Sequence, residues 1–341
     1  LRRLERAVTL QPIDGSTPAV RPRRARLSES ARRRLQGSVP DETLRAYARE
    51  WPRFVAWCAA EGEPSQPCST DALTNWVADR ADLGHSVSAI KQGIAAVVFF
   101  HDQANVDEKL MPDTGDAWRI VSQYKKERAD AGFRPMQAAI VNPDELRRMV
   151  ATLPPGRVAT LRDRAILTVG MSSFARRSNL VRFDRQDLVF LDNGDADMLK
   201  TYSKTDQAAD GHKVTLPPGS HELSDPVGAL RAWVDELEAQ GITDGPLFRR
   251  VSRSDNILPY RLDASWVNTL VKKTAKAAGL KPPKNTRHSA HTLRGSGASA
   301  ASQTGASTSA ICDQGDWSKE GTQVHIYVRP KAKDNAMRGV L

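Results

Sequence analysis

Apolar positions recur every three or four residues through residues 39–131, the spacing of a buried helical face. In the first predicted helix, opened by Pro40-Asp41-Glu42, that face is Leu44, Tyr47, Trp51, Val55 and Cys58. Pro52 inside it predicts a kink or a local adjustment. A second helix opens at Ser69, runs through Leu83 and stops at Gly84. A third, capped by Ser86 or Ser88, runs from Ile90 to His101 with Ile94, Val97 and Val98 inward. Asp113 to Asp116 precede a fourth, Trp118 to Ala131, ended by Gly132. Residues 39–131 thus read as a compact all-helical domain. Residues 132–141 hold Gly and Pro without helical period and read as a linker.

A second domain, 142–341, opens with Asn142-Pro143-Asp144-Glu145: an N-cap, a proline at the first helical position and acids in the first turn. Its first helix runs to Leu153, and the next from Leu161 to Phe174 with Ala165, Ile166, Val169 and Gly170 on the apolar face. The period then changes. Asp187 to Leu191, Met198 to Ser203 and Lys213 to Pro217 read as strands of a small antiparallel sheet, with Lys204 at a hairpin tip. Asp225-Pro226 opens a helix to Gln240, and Gly245 to Arg250 reads as a loop carrying two arginines. Asp263 or Ser265 opens a helix to Ala278, and a small-residue helix spans Ser296 to Gln303.

Residues 1–38 break this regularity. They are rich in Arg, Pro and Ser, lack a sustained apolar period and read as a basic, mostly disordered tail. Net charge changes the picture here. The chain carries +10, and residues 1–35 hold ten arginines against Glu5, Asp14 and Glu29, a surplus of seven. A polyanionic partner is the natural reading, with Arg23 and Arg24 lying along a DNA backbone; a solvated tail that aids solubility is the alternative. Lys91 and Gln92 stand off the apolar stripe of the third helix, placed either to read a major groove or simply to face water.

No run approaches the roughly 18 apolar residues of a membrane span, and the start lacks the apolar centre of a signal peptide. Cys58, Cys68 and Cys312 form no CxxC, which fits a reducing compartment, and no ligand set stands at metal-site spacing.

The candidate chemistry is concentrated between His291 and Tyr327. His291 and Arg294, three apart, share a helical face and can reach one anion. Trp317 follows, then Tyr327, a possible phenol nucleophile. Upstream stand Arg176 after a buried helix and Lys204 on the hairpin. An Arg, a hairpin Lys, a His-x-x-Arg, a Trp and a Tyr in this order resemble the tyrosine recombinase (phage integrase) family. The nearest likeness is to Cre-type site-specific recombinases, over residues 40–341.

The resemblance implies a mainly α fold with a small antiparallel β-sheet. An all-helical core-binding domain and an α+β catalytic domain would form a C-shaped clamp on DNA. Arg176 and Arg294 would grip the non-bridging phosphate oxygens, with Arg177 as the competing first arginine. His291, rather than His288, would donate to the phosphate or move the tyrosine proton. Trp317 would donate its indole N–H or pack the site shut. Lys204 would be the general acid, with Lys200 and Lys213 as alternatives, and Tyr327 the nucleophile of a 3′-phosphotyrosine intermediate. Lys213, Arg249 and Arg250 would touch DNA.

No cofactor and no metal is implied. The expected partner is a double-stranded recombination site, held by a homotetramer on two sites, a dimer at each, through a Holliday junction. The expected setting is the prokaryotic cytoplasm, nucleoid-associated and without membrane, and residues 328–341 would serve assembly. A type IB topoisomerase-like nicking-closing enzyme, or a non-catalytic DNA-binding derivative, would use the same residues. Two departures from the family pattern stand out: Asn179 where an acid is usual, and one extra residue between Trp317 and Tyr327.

Overall fold

The computed structural model describes residues 28–200, 212–319 and 321–327. Arg23, Arg24, Lys204 and the assembly segment 328–341 lie outside the described residues. The chain forms two compact units, residues 1–134 and 135–341. No described helix is long and apolar enough to cross a membrane.

The first unit is helical: α1 (Glu29–Gly37), α2 (Asp41–Glu61), α3 (Thr70–Asp82), α4 (Val87–Gln103) and α5 (Gly115–Asp130). Ser69 and Ser86 cap α3 and α4, their hydroxyls accepting from Ala72 and Ala89 N–H. Helix α2 continues through the exposed Pro52. Its buried seam is Trp51, Phe54 and Cys58, with Val55 only half-buried, and it meets Leu73, Trp76 and Val77 of α3 and Ile90, Ile94 and Val97 of α4. Each such fully buried side chain contributes about 1.5–3 kcal/mol.

The helix α1 lies at the end of the stretch 1–38 that reads as mostly disordered. It has no apolar stripe to betray it. Ser28 caps it, Glu29 stands in its first turn and Arg34 in its last, where each charge suits the helix dipole.

The second unit opens earlier than the expected linker allows. Strand β1 (Gln137–Ala138) pairs in parallel with β7 (Thr286–Arg287), and Ala139 and Val141 are buried. Next comes α6 (Pro143–Ala151), closed at its start by a capping box between Asn142 and Glu145. Helix α7 (Val158–Ser172) is the centre of the unit. Nearly every residue from Arg162 to Met171 is buried, as befits a helix covered on all sides.

Around α7 stand α8 (Arg177–Leu180), α9 (Pro226–Ala239), α10 (Ala264–Ala277) and α11 (Ala290–Thr304). The expected sheet is β2 (Leu188–Phe190), β3 (Ala196–Lys200) and β4 (His212–Leu216), antiparallel in that order. A further antiparallel hairpin, β5 (Arg249–Val251) and β6 (Ile257–Arg261), occupies the stretch read as a loop and the residues after it. Helix α12 (Thr308–Gly315) and a 3₁₀ turn, Thr322–Ile326, close the described chain. The fold is therefore mainly helical with small sheets, as expected, with a parallel pair added.

Candidate active site

Helix α11 carries His291 and Arg294, and it reaches α7 because Gly297 has no side chain. A Cβ there would stand 2.0 Å from the Met171 carbonyl oxygen. The close approach buries Arg294, which is 3% exposed. Its Nη1 donates to the carbonyls of Phe174, just past α7, and of Gly315, at 2.7 Å, at the end of α12. The face of Trp317 lies 3.6 Å from the guanidinium carbon. Three segments thus fix one cation, and Nη2 is left buried with no hydrogen-bond partner among the described residues. Burial, then the charge of Arg176, push this guanidinium down to about 9, still cationic at neutral pH.

Arg176 sits at the N-cap of α8, immediately after the buried run of α7. Its Nη1 lies 3.7 Å from Asp316 Oδ2, an ion pair too long for a hydrogen bond, and that nitrogen too is buried without a hydrogen-bond partner among the described residues. Arg177, the competing residue, is exposed on α8. His291 reaches solvent at the mouth of a cavity of about 230 Å³ that Tyr327, Ile140, Arg287 and Ser289 also line. Partial burial, then the cations Arg294, Arg177 and Arg176, hold its imidazole below the ordinary histidine range. His288 has Glu145 of α6 as its charged neighbour instead.

Tyr327 follows the 3₁₀ turn. Between Trp317 and that turn, Gly321 N–H donates to Ser318 O at 3.1 Å. The tyrosine ring packs against Trp317, centroids 5.6 Å apart, and against α11 at Gly295, where a Cβ would come within 3.0 Å of Tyr327 Cδ1. Trp317 therefore bridges Arg294 and Tyr327 through its faces, and Phe174 backs it at 6.3 Å. The structure brings together Arg176, His291, Arg294, Trp317 and Tyr327. Asn179 is buried beside them, its Oδ1 accepting from Ser178 Oγ at 3.4 Å.

Of the other expected DNA contacts, Lys91 and Gln92 are exposed on α4, and Lys91 leans over Trp118 at 5.8 Å. Lys213 is exposed and paired to Asp197 at 3.0 Å, and Arg250 is exposed. Arg249 is a correction. It is 8% exposed, and its guanidinium donates to the carbonyls of Pro246 and of Asp244, the latter at 2.6 Å, so it braces the turn before β5 rather than meeting DNA. Sequence reasoning also passed over Asp316 and the Phe174 and Gly315 carbonyls. Only Asp316 left a signal, as a lone acid beside Trp317.

Residues 140–334 match the sequence profile of the Phage integrase family. An integrase/recombinase XerD homologue from Selenomonas ruminantium is 29% identical over 315 residues, covering 92% of this chain and 89% of the relative. Among solved structures, the Tn1549 transposon integrase in complex with circular intermediate DNA superposes with a TM-score of 0.58 at 14% identity, over 92% of this chain and 97% of that one. XerH recombinase bound to a palindromic difH substrate gives 0.53 at 16% identity, over 80% and 71%. A lambda integrase tetramer bound to a Holliday junction gives 0.51 at 16%, over 87% and 74%. At these identities the structural likeness establishes the fold.

Proposed function

The chain belongs to the phage integrase family, and from that premise we propose that it is a site-specific DNA recombinase working through a 3′-phosphotyrosine intermediate. The observation that carries the reading is a pair of guanidiniums, Arg294 buried and Arg176 partly so, each with a buried nitrogen that has no hydrogen-bond partner among the described residues, and Arg294 sharing the Trp317 ring with Tyr327. Such donors, fixed in advance, stabilise charge that develops on a phosphoryl group without reorganising.

In the proposed reaction the Tyr327 phenol oxygen attacks the scissile phosphorus. A bond forms from phosphorus to the phenol oxygen, and the bond to the 5′-oxygen breaks. His291, held neutral by its surroundings, takes up the phenol proton. Lys204 protonates the departing 5′-oxygen. The 5′-hydroxyl of a second strand then reverses the chemistry, so the bond energy is conserved and no nucleotide is consumed. Trp317 supplies the surface on which Arg294 and Tyr327 both rest.

The partners in this reading are duplex recombination sites, with a homotetramer joining two of them, a dimer at each, through a Holliday junction. The setting is the prokaryotic cytoplasm and nucleoid. Lys91, Gln92, Lys213 and Arg250 are the described candidates for contacts to DNA.

The test uses a duplex selected from a random pool by the full chain, then nicked near the cleavage position as a suicide substrate. The wild-type chain should form a covalent adduct that maps to Tyr327. Tyr327→Phe should bind with unchanged affinity and form none. An adduct in the Phe variant overturns the assignment.

A further inference from the structure

We propose that Asp316 is a positioning residue for the arginine pair, supplying from the end of α12 the carboxylate that position 179 lacks. The inference rests on the recombinase reading above. Asn179 is spent on Ser178, one residue away. The acid that faces Arg176 comes from the far side of the site, with Oδ2 at 3.7 Å from Nη1 and side chains only 21% and 14% exposed for Arg176 and Asp316. The same carboxylate acts on Arg294.

The backbone at this position argues that the side chain is what matters. Asp316 stands at φ 57°, ψ 54°, the left-handed conformation in which a helix end usually places glycine. A turn alone would be better served by glycine. Strain kept at one residue, with its carboxylate turned toward a partly buried cation, points to a use for that carboxylate.

The two guanidiniums repel one another, Arg176 lowering the proton affinity of Arg294. A carboxylate beside them offsets that repulsion and holds Arg176 in place. Because the 3.7 Å separation forms no hydrogen bond, Nη1 keeps its donor for a phosphate oxygen.

The experiment is single-turnover adduct formation by the full chain at saturating suicide duplex, with binding and melting measured alongside. Asp316→Asn and Asp316→Gly should each slow cleavage about tenfold to a hundredfold with unchanged DNA affinity. Asp316→Gly should melt no lower than the wild type, which separates the electrostatic role from a folding defect. Asn179→Glu placed in the Asp316→Asn background should recover at least half of the lost rate on a logarithmic scale. Wild-type cleavage by Asp316→Gly, or no recovery from Asn179→Glu, overturns this inference alone. A wild-type chain that forms no adduct overturns the recombinase reading and this inference with it.

Discussion

Each unit buries an arginine against the face of a tryptophan. In the first unit Arg80 lies over Trp76 at 4.8 Å, and Glu50 of α2 meets its Nη1 at 2.8 Å, both side chains being about 5% exposed. In the second unit Arg294 lies over Trp317 at 3.6 Å, but carbonyls hold it instead of a carboxylate. Arg162 shows that the second unit can also build the carboxylate-paired kind, pairing with Asp163 at 2.7 Å beside Trp266. A buried cation whose charge is answered at contact distance is architecture. One that is gripped at contact distance by dipoles, with its nearest carboxylate beyond hydrogen-bond reach, keeps donors that an anion can use.

Removing the answering charge should have the largest effect. Glu50→Ala strands Arg80 and should cost about 3–5 kcal/mol by chemical denaturation. Replacing both partners, Glu50→Leu with Arg80→Leu, should return most of that loss. A single variant as stable as the wild type would erase the contrast.

Arg294→Met should behave oppositely. Its melting should shift little, since a poorly compensated charge leaves as two carbonyls lose their donor. Single-turnover cleavage should fall about 10²–10³-fold, the usual loss for one preorganised donor. A comparable fall in stability would move Arg294 into the architectural class.

Gly297→Ala tests how Arg294 comes to be buried. The added methyl meets the Met171 carbonyl and should cost about 1–3 kcal/mol, with slower cleavage as α11 is pushed from α7.

The smallest effect concerns histidine. His101, fully buried in α4, accepts from Cys68 N–H at 3.0 Å, and burial holds its imidazole below the ordinary 6.5. The folded chain binds this proton less readily than the unfolded chain. Its contribution to stability is full above about pH 6.5 and is lost as the pH falls toward the lower folded value, by at most about 1.4 kcal/mol per pH unit. His291 and His288 act with the same sign. Urea midpoints taken from pH 7.5 to 5.5 should therefore fall, and a flat profile would contradict the assignment.

The sequence made the helices legible where caps and apolar spacing agreed. Ser69, Ser86 and Asn142 begin helices as expected, and the order Arg, His-x-x-Arg, Trp, Tyr located the site. What escaped has physical reasons. Helix α1 rests on capping and charge. The pair β1–β7 is two residues long, too short to show a period. Arg249 follows Leu247 and Phe248, and polarity suggested exposure until its register in β5 turned it inward. The carbonyls of Phe174 and Gly315 belong to the backbone, which leaves no residue signature. Asp316 finds Arg176 only because its main chain takes the left-handed turn.

The parallel pair has a mechanical consequence. Tension carried along the polypeptide from residue 134 reaches Gln137 and Ala138 first, and these are laddered to Thr286 and Arg287 just ahead of α11. Val141 N–H, donating to Ser296 Oγ at 2.8 Å, adds a second rivet to the same helix. The strand that opens the second unit is thereby riveted at two points to the helix that bears His291 and Arg294 and to the residues just ahead of it, so a break in either rivet would loosen the rod itself.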